Sequence, residues 1–175
     1  SFFGWVAFLL QKYGMLFLRG TGMTLLIALT GTALGFALGL LVAIIRTIAL
    51  PEKKKAGSNA GVIVKRGLLR FVHMLMNVYI QVFRGTPMIV QAVVIYYGAQ
   101  YAGVFMDTTF AAVFIISINT GAYMAEIIRG GIVSVDKGQF EAAHAIGMTH
   151  WQTMTTVVLP QAIRNILPSV GNELI

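Results

Sequence analysis

Between Arg19 and Arg46 the chain runs for 26 residues, Gly20 to Ile45, without a single charge. As an α-helix this stretch is about 39 Å long at 1.5 Å per residue. The hydrocarbon core of a bilayer needs about 20 residues to cross. A soluble helix of this length would keep a charged face, and this one has none. The run is also too long, and too far from a cleavage-like site, to be a signal-peptide core. It predicts a membrane-spanning helix and places the whole chain among membrane proteins. Composition agrees: 57% of residues are hydrophobic and 11% charged, against about 25% charged in soluble domains. Ordinary soluble and disordered classes are thereby excluded.

Further uncharged stretches follow at 85–106 and 108–125, and the chain turns apolar again from Val157. The expected spans are about 20–46, 86–102 and 108–130, with a further span starting near 158. The last stretch carries Pro160, Arg164, Pro168 and Glu173, so it reads as a span that the chain leaves unfinished. Thirteen basic residues against six acidic ones give a net charge of +7. Eight of the thirteen fall between Arg46 and Arg84, with Glu52 the lone acid there. Basic loops stay cytoplasmic, so this segment is assigned inside and the N-terminus outside. The positive charge thus reads as topology and not as a nucleic-acid surface. Lys53–Lys55 could also meet anionic lipid. Pro51 to Gly61 reads as a polar loop. Trp5 and Tyr13 suit an interfacial aromatic belt, with Lys12 and Arg19 snorkelling.

Residues 68–102 are too long for one crossing, and Arg84, Gly85 and Pro87 supply a break. The reading is a helix over 68–83 at the cytoplasmic surface, then the second span. Residues 131–157 then form a cytoplasmic loop. The alternative makes 68–83 a full span and puts that loop outside.

Within span one, Gly31, Gly35 and Gly39 repeat at a spacing of four. They allow close approach of a second helix, either in the same chain or at a subunit interface. In span three, Asn119, Tyr123 and Glu126 share one helical face. Polar groups inside a bilayer must face protein or water, so these residues are candidates for a solute path, with Gln91 a weaker one. The competing structural reading pairs Glu126 with Arg129 and makes Asn119 interhelical glue. No cysteine is present, and the three histidines show no metal-ligand spacing. No cofactor or metal site is expected.

Asp136 to Pro160 reads as a short helical hairpin. Asp136 with Gln139 starts one helix, and Gly147 suits the left-handed position that ends it. Thr149 with Gln152 caps a second helix, which runs to about Val158 before Leu159-Pro160 begins the ascent. Glu141-Ala142-Ala143, Gly147 and Val157-Val158-Leu159-Pro160 together resemble the EAA signature of binding-protein-dependent ABC importer permeases. Phe83-Arg84-Gly85-Thr86-Pro87 and the stretch Asn119 to Gly131 resemble the polar amino acid subfamily, as does Met23-Thr24-Leu25. The resemblance covers about residues 20–175.

The resemblance implies an all-α, polytopic helix bundle of the ABC importer permease (MetI-like) fold, as a single domain over 1–175 that is truncated at its C-terminus. It implies five core helices in the family and residence in a bacterial cytoplasmic (inner) membrane. Implied partners are an ABC ATPase subunit, a second permease subunit (identical or homologous) and an extracytoplasmic amino-acid-binding protein. Glu141, Ala142, Ala143 and Gly147 become ATPase-coupling residues. GxxxxGK[ST] does not occur, so ATP hydrolysis is expected of a separate chain. His144 with Glu141 is the one local acid–base pair, too little for an enzyme. A channel or secondary carrier for a small polar solute is the alternative function, and the EAA loop argues against it.

Overall fold

A computed structural model describes residues 2–48 and 60–173. The polar loop expected from Pro51 lies for the most part outside the described residues. Helix α1 spans Phe2–Thr47, α2 Ala60–Gly85, α3 Met88–Tyr101 and α4 Thr108–Val133. A short α5, Lys137–Ala145, precedes α6, His150–Gln152. A π-helical turn, Thr153–Val158, joins α6 without interruption to α7, Leu159–Glu173. Among the described residues there is no strand.

Helix α1 is longer than the expected span. It runs unbroken for 46 residues, about 69 Å, so the aromatic stretch before Arg19 continues the same helix. Its N-terminal half is exposed apart from a half-buried Gly14. The second half packs on α4 through the glycine stripe. A Cβ added at Gly31 would stand 2.7 Å from Ile116, one at Gly35 2.7 Å from Thr120, and one at Gly39 2.5 Å from Met124. These distances leave no room for a side chain, so the stripe serves packing within the chain. The contact points advance together along both helices, so α1 and α4 run parallel. The segment between them therefore makes one net crossing of the bundle.

That crossing is made by α2 and α3, bent by 111° at a break of two residues. Pro87 supplies the break: it has no N–H and restricts Thr86 to extended backbone. Helix α2 is longer than the expected 68–83 and begins at Ala60. By length and composition, α1 and α4 can each cross a membrane, and α2 with α3 can form a third, broken span.

The core is a thin seam between helices. Val42 of α1, Ile80 of α2 and Ala125 of α4 form one cluster. Ala43, Met124 and Ile128 form a second, flanked by Ile166 and Val170 of α7. Gly131 lets α7 lie against α4, since a Cβ there would overlap Ile166.

Candidate functional site

The polar stripe of α4 faces the bend between α2 and α3. Asn119 lies near the middle of α4, and its side-chain amide donates to Gln91 Oε1 at 3.0 Å and to the Phe83 carbonyl at 3.4 Å. Gln91 Nε2 donates to the carbonyls of Phe83 and Thr86, both at 2.9 Å, and to Thr86 Oγ1 at 2.8 Å. Both amides are buried. They satisfy the carbonyls that the Pro87 break leaves without helical partners. The Tyr79 hydroxyl adds a bond to the Ile118 carbonyl at 2.6 Å. Gln91 and Asn119, expected on a solute path, are thus joined in one clamp that holds the corner. An apolar cavity of about 220 Å³ lies at the same bend, walled by Val82, Phe83, Thr86, Val90 and Gln91 among others.

One turn further along α4, the Arg84 guanidinium stands over the Tyr123 ring, 5.4 Å from its centroid. Glu126 is bound on both sides: Arg46 Nη1 of α1 approaches Oε2 at 2.9 Å, and Arg129 pairs with Oε1. The Arg129 partner was legible at i, i+3. The Arg46 partner was not, because it lies 80 residues away and its sequence context signals only the end of a span. Beside Glu126, a cleft of about 270 Å³ opens between α4 and α7, with Ser134, Asn165 and Ser169 in its lining.

The hairpin after α4 has fixed ends. Asp136 caps α5 by accepting from the Gly138 N–H at 2.6 Å. Gln139, expected to complete that cap, is instead engaged by Gln161 at 3.3 Å. Gly147 has φ +81°, the left-handed conformation that favours glycine. Its N–H donates to the His144 carbonyl, and the Met148 N–H to the Ala143 carbonyl. Thr149 and Gln152 form the expected reciprocal cap. Ala143 is buried, whereas Glu141, Ala142 and Gly147 are exposed. The second helix does not end near Val158; it passes through the π-helical turn into α7. Pro160 lacks the N–H that would bond the carbonyl four residues back, and the wider π turn directly precedes it.

Residues 57–175 match the family described as "Binding-protein-dependent transport system inner membrane component". The chain belongs to this family. It is 37% identical over 171 residues to "Putative glutamine transport system permease protein GlnP" of Rickettsia prowazekii, covering 96% of this chain and 70% of that protein. It is 38% identical over 144 residues to "L-cystine transport system permease protein TcyB" of Bacillus subtilis, covering 82% of this chain and 55% of that protein. A solved structure described as "Crystal structure of an amino acid ABC transporter with histidines" superposes with a TM-score of 0.79 at 37% identity. That alignment covers 99% of this chain and 70% of the other. The chain thus spans 55% to 70% of the length of these relatives. It is a membrane protein of the amino acid ABC permease kind, with the helix bundle that the EAA and FRGTP stretches implied. Membership implies association with an ATPase and a binding protein in an ABC importer.

Proposed function

We propose that this chain is a membrane-spanning subunit of an ATP-driven amino acid importer in a bacterial inner membrane. It lines the translocation path with the polar face of α4 and couples to a separate ATPase through the α5–α6 hairpin. The supporting observation is the hairpin itself. Two short helices are capped at both starts and joined at a left-handed Gly147. They leave Glu141, Ala142 and Gly147 exposed, while Ala143 packs inward as part of the support. The π-helical turn carries the hairpin straight into α7, so a force on the hairpin reaches a helix packed on α4. The parallel course of α1 and α4 puts the basic end of α1, at Arg46, on the hairpin side. That matches an N-terminus outside and a cytoplasmic hairpin. A second permease subunit, identical or homologous, would complete the path, and an extracytoplasmic binding protein would deliver the amino acid.

The test is reconstitution of the full complex with its ATPase and binding protein in proteoliposomes, screened over amino acids. At least one amino acid should stimulate ATP hydrolysis and be taken up in an ATP-dependent manner. Uptake that proceeds without ATP would instead favour a carrier or channel.

A further inference from the structure

Most of the polar groups on this stripe already have partners within the chain. The Gln91 amide is bonded to Phe83, Thr86 and Asn119, and the Asn119 amide to Gln91 and Phe83. The Glu126 carboxylate is shared by Arg46 and Arg129. Arg84 differs. It is exposed, and among the described residues its one specific contact is the Tyr123 ring. No carboxylate pairs with it among the described residues. A ring face satisfies none of the five N–H donors of a guanidinium. The adjacent Phe83 carbonyl is bonded to Asn119, which places Arg84 at the corner, near mid-length of α4. A cation at that depth in a span faces a cavity or a ligand, since lipid offers it no partner. Arg46, Arg84 and Arg129 against Glu126 also leave the stripe net positive, which suits an anionic group.

We propose that Arg84 binds the α-carboxylate of the translocated amino acid, with Tyr123 as the positioning residue that holds the guanidinium plane. This deepens, and rests on, the reading of the chain as an amino acid permease subunit. A planar guanidinium meets a carboxylate through two parallel N–H···O bonds. The group recognised is common to all amino acids, so side-chain selection would fall elsewhere.

The test uses the full complex. Wild type is first assayed for uptake of L-glutamine, L-arginine and L-cystine. Each transported acid and its methyl ester then compete for binding to the permease–ATPase complex without binding protein. The acid should compete at least tenfold better than the ester in wild type. In R84Q this preference should disappear and uptake should fall at least tenfold, with ATPase copurification unchanged. R84K should retain a reduced preference for the acid. Tyr123→Leu should weaken acid binding while leaving ester binding unchanged, which a purely structural role would not do. Equal competition by acid and ester in wild type overturns the assignment, as does R84Q uptake within twofold of wild type. If R84Q fails to assemble, Tyr123→Leu decides, and acid binding unchanged in that variant overturns the assignment. Wild-type complexes that take up none of the acids overturn the functional reading itself.

Discussion

At the scale of single residues, the decisive contacts join positions far apart in sequence. Gly39 packs so closely on α4 that a Cβ would stand 2.5 Å from Met124 Cβ and 2.9 Å from the Ala125 nitrogen. Gly22 lies on the same helix with nothing within 4 Å of its added Cβ. The two sites therefore predict opposite signs for the same substitution. Gly39→Ala overpacks a tight seam and should destabilise the protein by about 1–3 kcal/mol. Gly22→Ala should be neutral or stabilise by about 0.5–1 kcal/mol through helix propensity. Melting temperatures in detergent would show the difference, and equal values would contradict the α1–α4 packing. Asn119→Leu removes the donor to Gln91 at the corner and should cost about 1–2 kcal/mol. Uptake should fall while the complex stays assembled. Normal uptake by this variant would reduce the Gln91–Asn119 clamp to local packing without consequence for transport.

At the scale of elements, much was legible because short-range chemistry decides it. The uncharged run from Gly20 to Ile45 marked α1, the Arg84–Pro87 break marked the corner, and Thr149 with Gln152 marked a cap. Gly147 was legible because few other residues end a helix in that conformation. What sequence could not supply was the partner across the gap. Periodicity tells which residues share a face, but not which helix meets it. Hence the Gly31, Gly35 and Gly39 stripe stayed open between a subunit interface and packing on α4. Hence too Glu126 showed its near arginine and hid Arg46. The extent of α1 before Arg19 was missed because Lys12 and Arg19 read as a boundary; in the helix Lys12 lies over the rings of Phe8 and Tyr13, 5.5 Å from each centroid. One element-scale test follows from the hairpin. Thr149→Ala removes the reciprocal cap of α6 and should cost about 1 kcal/mol. It should lower ATP-coupled uptake only modestly, because α6 continues into the π turn and α7. Measured uptake below about a tenth of wild type would mean that the cap carries more of the coupling than this geometry allows.

At the scale of the whole molecule, α1 and α4 run parallel, and the turn before Asp107 and the α5–α6 hairpin lie at opposite ends of α4. The chain has no cysteine, so single cysteines report topology cleanly. Cysteines at Lys53 and His150 should resist an impermeant thiol reagent in intact cells, and one at Phe105 should react. Labelling at position 150 from outside would invert the orientation. The central claim is that the α5–α6 hairpin transmits the ATPase cycle to the spans. Gly147→Asp tests it most directly, since a side chain at φ +81° is strained by about 1 kcal/mol or more and alters an exposed turn outside the spans. Uptake, ATPase copurification and stimulation by the loaded binding protein would be measured together in the reconstituted complex. The account predicts normal membrane insertion with uptake abolished, through either a lost ATPase or hydrolysis that no longer responds to the loaded binding protein. Normal uptake with a bound, responsive ATPase would contradict it.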